Sequence, residues 1–167
     1  MLERFFPDEY YPSIREVPFD ALHARGIRGL IIDIDNTLAP YDVPEPPEAV
    51  TRLLRSLEAK GFRICLFSNN GKTRVERFNA SLGLLAVYKA GKPKKRGIRK
   101  AMSMLTLSAA ETALIGDQLF TDIWGGNRCG LRTILLEPIA QRDEWTVRLK
   151  RPPEQFVLRA YKRRCSI

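Results

Sequence analysis

The chain is poor in the residues that build metal and redox sites from imidazole and sulfur. Of its 167 residues one is histidine, His23, and three are cysteine, Cys65, Cys129 and Cys165. The cysteines are odd in number, widely spaced and without a CxxC pair, which argues against a disulfide framework and a structural zinc site and reads them as reduced thiols. His23 falls far from every predicted strand end, so it is expected on a helix surface and not as a general base. No apolar run approaches the roughly 18 residues needed to cross a bilayer. The first residues lack the basic and then apolar stretches of a secretory leader, so a cytoplasmic location is the expectation. Repeats and low-complexity stretches are absent too. What remains is the composition of a folded domain. With 44% hydrophobic and 28% charged residues the chain is neither disordered nor fibrous. Residues 1–167 suffice for one domain whose core needs no disulfide.

Acid is missing from one stretch in particular. Lys89 to Lys100 carries seven Lys and Arg and no Asp or Glu, and residues 141–167 carry eight basic residues against Asp143, Glu144 and Glu154. The net charge is +9, so the rest of the chain is slightly acidic. Two basic segments on such a body attract anionic partners: phosphate esters, nucleic acid or anionic lipid headgroups. For the tail, a solvated face that only keeps the protein soluble is an equal reading.

Short apolar runs alternate with helical periodicity, which predicts βα units around a mostly parallel sheet, an α/β fold. The runs are residues 29–34, 62–67, 86–88, 112–115 and 132–136, nearly all apolar, as strands covered on both faces are. Between the first two, Val50, Leu53, Leu54 and Leu57 recur at helical spacing over Glu48 to Lys60, with Pro46-Pro47 ahead and Gly61 behind. Further helices are predicted over residues 73–82, 97–105 and 121–128, the last weakened by Gly125-Gly126. The first 28 residues read as an aromatic, proline-bearing lead-in, and residues 139–167 as a basic C-terminal extension of a 28–136 core.

The polar residues fall at the C-terminal ends of the strands, where open parallel sheets bind ligands. The first strand runs into Asp33-Ile34-Asp35-Asn36-Thr37, the second into Ser68-Asn69-Asn70 and the fourth into Gly116-Asp117, with Asp122 five residues on; Lys92 follows the third. Clustered carboxylates repel one another unless a cation neutralises them, and an all-oxygen set suits Mg²⁺. A phosphate ester is the natural substrate of such an edge. Each residue also has an ordinary reading: Asp-Asn-Thr as a turn or helix cap, Ser-Asn-Asn-Gly as turn chemistry, Lys92 as one lysine among many. Trp124 and Cys129 read as packing residues.

These residues resemble the haloacid-dehalogenase (HAD) superfamily of phosphatases, whose four motifs occur in order: Asp33-Ile-Asp-Asn-Thr-Leu38, Ser68, Lys92-Pro93 and Gly116-Asp117-Gln-Leu-Phe-Thr-Asp122. The resemblance covers about residues 28–136. Gly116 to Gly130 and the lead-in around Tyr10 to Ile14 are similar to the YqeG-type, subfamily IIIA branch, which is akin to mitochondrial phosphatidylglycerophosphate phosphatases. It implies a three-layer Rossmann-like core. It also implies Asp33 as the nucleophile that becomes an aspartyl phosphate and Asp35 as acid and base. Ser68 and Lys92 would lie on the phosphoryl group, with Thr37, Asn69 and Asn70 in support. Mg²⁺ would be held by Asp33, the backbone carbonyl of Asp35 and Asp117, with Asp122 as a further ligand or as an orienter of the ligands. Cap domains of the superfamily are inserted after the first or second motif, and neither interval here has room for one.

The leading expectation is therefore a Mg²⁺-dependent phosphomonoester hydrolase, with phosphatidylglycerophosphate as a substrate the branch suggests. Tyr161-Lys-Arg-Arg164 with Phe156, Val157 and Ala160 would then form a basic amphipathic tail for an anionic membrane surface, although a short amphipathic helix more often packs on its own domain. Two other readings stay open: a soluble phosphatase of sugar phosphates, nucleotides or nucleic-acid ends, and a non-enzymatic RNA- or ribosome-binding protein, which no RNA-binding signature supports. An oligomer is open as well.

Overall fold

The computed structural model describes residues 2–140 and 151–165, without the side chains of 151–153 and 165. Among them one six-stranded sheet holds β1 (Glu9–Tyr11), β2 (Gly29–Ile32), β3 (Arg63–Phe67), β4 (Leu85–Val87), β5 (Thr112–Gly116) and β6 (Arg132–Leu136). Every pairing is parallel and the order is β1-β6-β5-β2-β3-β4. The helices are α1 (Phe19–Ala24), α2 (Glu48–Ala59), α3 (Lys72–Asn79), α4 (Lys95–Leu105), α5 (Trp124–Cys129) and α6 (Arg151–Cys165).

Because successive side chains of a strand point to opposite faces, an apolar run supplies both at once. Leu30 and Ile32 of β2, with Ile64, Leu66 and Ile115, face Leu54 and Leu57 of α2 and Val75 and Phe78 of α3. Ile31, with Cys65, Phe67 and Leu114, faces Ile98, Ala101 and Leu105 of α4. Each Leu, Ile, Val or Phe among them, removed from water, contributes about 1.5–3 kcal/mol before the entropy of ordering is set against it. The result is the expected three-layer α/β arrangement. Only a loop, α2 and β3 lie between Thr37 and Ser68, and only α3 and β4 between Ser68 and Lys92.

The differences from expectation lie at the margins. The lead-in contributes a strand: β1 adds to the sheet edge beside β6, with Glu9 opposite Ile134. Its three residues are all half-buried, and Glu9 is held by Arg132 at 2.8 Å and Arg25 at 3.2 Å. No apolar run announces it. His23 sits on α1, half-buried and edge-on to Phe62 at 5.4 Å, as a packing residue. The strand expected at 86–88 is 85–87. The helix expected at 121–128 is a π-helical turn, Leu119–Ile123, followed by α5.

The Gly125-Gly126 pair does not weaken α5. A Cβ on Gly126 would meet Thr133 Cγ2 at 2.5 Å, so this glycine is what lets α5 lie directly on the sheet. Trp124 packs against Phe5 at 5.4 Å, and Cys129 packs against the α4 side of the core. Both ends of the described chain also meet the 119–123 turn. Val157 of α6, with Leu158 at its side, joins Leu119, Ile123 and Leu135, packed with Phe5, Phe6, Tyr10 and Phe120. The apolar side of α6 therefore faces the protein, with Val157 and Tyr161 buried, while Phe156 is exposed. Residues 141–150 and 166–167 of the expected basic extension lie outside the described residues. Among those described, no helix is long and apolar enough to cross a membrane.

Candidate active site

From β2 the chain proceeds outward in one direction through β3 and β4, and β5 and β6 lie on its other side. The end of β2 is thus a topological switch point, where loops diverge and leave a crevice. Asp33 sits there, its N–H donating to Ile115 O at 2.9 Å. The following residues fold back tightly: Leu38 N–H donates to Ile34 O at 2.9 Å and Asn36 N–H to Ala39 O at 2.7 Å, with Asn36 at φ 61°. Asn tolerates this left-handed conformation better than most residues.

Four side chains from three loops converge, those after β2, β4 and β5. One carboxylate oxygen each from Asp33, Asp117 and Asp122 lies within 4.8 Å of the others. Lys92, its side chain 4% exposed, inserts its Nζ among them, bonding Asp33 and, at 2.8 Å, Asp122. Asp122 is presented by the π turn, and its Oδ2 accepts from Gln118 N–H at 3.2 Å. Gly116 makes room for it: a Cβ there would lie 2.4 Å from the Asp122 carboxyl carbon. Thr37 Oγ1 donates to Asp33 Oδ2 at 3.2 Å, and Asn69 Oδ1 accepts from Lys92 N–H at 2.8 Å. Both therefore orient the cluster.

Asp35 lies apart from the three clustered carboxylates. Its Oδ2 accepts from Asn70 Nδ2 at 2.7 Å and Ser68 Oγ at 3.2 Å, and its Oδ1 from Arg74 Nη2 at 3.1 Å. Arg74 also donates to Pro44 O at 3.2 Å and stacks over Phe78. This arginine was not among the sequence candidates. The available signal was a basic residue in the first turn of the helix after Ser68-Asn69-Asn70, which resembles any solvated helix residue.

Burial disfavours charge on the carboxyls of the cluster. Asp33 is pushed up to about 7, with Lys92 opposing the rise and Asp122 adding to it. Asp117 is raised well above its ordinary value by burial and by the charges of Asp33 and Asp122. Burial works against the Lys92 ammonium too, but Asp122 and Asp33 outweigh it and hold its proton firmly. Three carboxylates against one ammonium leave a deficit of positive charge. Asp117 Oδ1 is buried without a hydrogen-bond partner, a cost of about 1–3 kcal/mol that a bound cation would relieve. The donor set is all oxygen and fits a hard divalent ion.

Comparisons with known proteins agree with this geometry. A HAD-hydrolase-like family model matches residues 89–160. The probable phosphatase YqeG of Bacillus subtilis is 36% identical over 168 residues, covering 100% of this chain and 98% of its own. The chloroplastic phosphatidylglycerophosphate phosphatase 1 of Chlamydomonas reinhardtii is 32% identical over 87% of this chain, which spans 58% of that protein. Among solved structures, the cobalt-bound deoxy-D-mannose-octulosonate 8-phosphate phosphatase of Haemophilus influenzae superposes with a TM-score of 0.57 at 16% identity. That match covers 82% of this chain and 90% of the other, and shows the shared fold.

Proposed function

The chain belongs to the HAD superfamily of phosphatases, in its YqeG-like branch, and from that premise we propose how its residues carry out phosphomonoester hydrolysis. The catalytic core is assigned to residues 28–136 and the basic extension to 139–167. The observation that carries the reading is the Asp33, Asp117, Asp122 and Lys92 constellation at the switch point.

Asp33 attacks phosphorus through a carboxylate oxygen while Thr37 holds the other oxygen, and the ester oxygen leaves with a proton from Asp35. Water, deprotonated by Asp35, then attacks the aspartyl phosphate and frees Asp33 and inorganic phosphate, so one carboxyl serves both half-reactions. Mg²⁺ would be held by Asp33, Asp117, Asp122 and the Asp35 carbonyl, and when bound it would supply positive charge that screens the carboxylates from the incoming dianion. Lys92 directs its ammonium at the charge on the transferring phosphoryl group. Ser68 and Asn69 supply hydrogen bonds to its oxygens.

The substrate assigned is a lipid phosphate, phosphatidylglycerophosphate, acted on by a cytoplasmic protein at an anionic membrane surface. The algal relative's activity supports this, as does an edge without an inserted cap. Phosphate release is to be measured from an aryl phosphate and from phosphatidylglycerophosphate with and without Mg²⁺. Asp33→Asn is expected to lower both rates by about a thousandfold or more. A lipid rate no higher than the aryl rate rejects the lipid, and full activity in Asp33→Asn rejects the mechanism.

A further inference from the structure

Beside the active-site loop runs a second concavity, a groove of about 430 Å³ between the segment after β4 and helix α4. Its charged lining is all of one sign: Lys89, Lys94, Arg96 and Lys100. Tyr88, 40% exposed, shares the wall, with Lys100 Nζ 6.0 Å from the centre of its ring. Several exposed cations elsewhere are paired: Arg52 with Glu48, Arg55 with Glu58, Lys60 with Asp20, Lys72 with Glu76 and Arg77 with Glu45. None of the four groove cations pairs with a carboxylate among the described residues. A face serving only solubility mixes its signs; this one collects four positive charges in a concave surface, where their fields add.

The groove and the catalytic cluster share one segment of chain. Ala90 N–H donates to Ser68 O at 3.0 Å, Lys89 N–H to Asn70 O at 2.8 Å and Lys92 N–H to Asn69 Oδ1. This stitching fixes the loop against the phosphate-binding turn. Lys92 points in at Asp33 and Asp122 while its neighbours Lys89 and Lys94 are exposed. Two residues of chain span at most about 7 Å, so the backbone that carries Lys94 into the groove lies that close to the backbone that carries Lys92 into the cluster.

We infer that the groove of Lys89, Lys94, Arg96 and Lys100 is a subsite for a second, non-reacting phosphate of the substrate. The substrate is thus a phosphomonoester bearing a phosphate or phosphodiester a few bonds away, as a free compound or as a lipid headgroup. The inference rests on the phosphomonoesterase reading and narrows its substrate class.

The test compares wild type with Lys94→Gln/Arg96→Gln/Lys100→Gln and with a control of equal charge loss, Arg52→Gln/Arg55→Gln/Lys72→Gln. The probes are glycerol 1-phosphate, with one phosphate, and glycerophosphoglycerol phosphate, the soluble headgroup with two. KM is read with Mg²⁺, and Kd is read in an Asp33→Asn background. The groove variant is expected to shift the ratio of the two probes' KM and Kd values by about tenfold against the doubly charged one, with no such shift in the control. An unchanged ratio, or an equal shift in the control, overturns the subsite. Vesicles of phosphatidylglycerol or phosphatidylcholine separate the sources. If the groove variant loses vesicle binding but keeps its headgroup ratio, the groove contacts the bilayer and the subsite is overturned. If wild type turns over no ester, the hydrolase reading fails, and the Kd ratio still decides the groove.

Discussion

Both oxygens of Asp35 are engaged before any substrate arrives, Oδ1 by Arg74 and Oδ2 by Ser68 and Asn70. A general acid must present its proton along one line, and a guanidinium anchored to Pro44 O and stacked on Phe78 fixes where the carboxyl starts from. Arg74 is therefore expected to act as a positioning residue for Asp35. The measurement is leaving-group dependence, because p-nitrophenolate departs without a proton and an alkoxide does not. Arg74→Met is expected to slow alkyl phosphate hydrolysis about tenfold or more while changing p-nitrophenyl phosphate far less. Equal losses on both esters would assign Arg74 to binding or to the fold. Asp122 offers a second test at this scale. Asp122→Asn removes a charge that faces both Lys92 and the metal position, and the Mg²⁺ concentration for half-maximal rate is expected to rise about 10–100-fold.

At the scale of elements, the turn carrying Asp122 depends on what packs around it. Helix α5 lies on the sheet only because Gly126 has no Cβ to strike Thr133. Propensity makes that glycine a weakness of the helix, since it counts only the cost of glycine within the helix and not the close approach it permits. Gly126→Ala is expected to destabilise the protein by about 1–3 kcal/mol through overpacking, seen as a thermal midpoint lower by several degrees. Helix α6 was legible as amphipathic, but its partner was not. Val157 and Tyr161 turn inward toward the segments flanking the 119–123 turn, so the apolar stripe is accounted for by the protein itself.

For the whole molecule, charge links the site to stability. Asp33 and Asp117 hold their protons more tightly in the folded metal-free chain than in the unfolded one. Their contribution is therefore complete at low pH and fades as pH rises from the ordinary carboxylate range to about 7, where Asp33 ionises. Above that, buried carboxylates repel without a proton to relieve them, and a cation takes the proton's place. The thermal midpoint of the metal-free protein is expected to fall between pH 5 and pH 8, and added Mg²⁺ to raise it more at pH 8 than at pH 6. A stabilisation by Mg²⁺ that does not grow with pH would contradict the tri-aspartate site.

The sequence by itself determined the parallel α/β architecture, because buried strands need unbroken apolar runs and helices between them need punctuation, and both are local patterns. It also determined that Asp33, Lys92, Asp117 and Asp122 meet, because in a parallel sheet every strand delivers its following residues to the same edge. Tertiary structure alone decided the rest. The β1 strand is three half-buried residues held by ion pairs and carries no pattern of its own. Arg74 becomes part of the site only because α3 brings its first turn over the Asp35 loop. Whether a basic run is a solvated face or a groove depends on which carboxylates fold within reach of it, and Lys89, Lys94, Arg96 and Lys100 pair with none among the described residues.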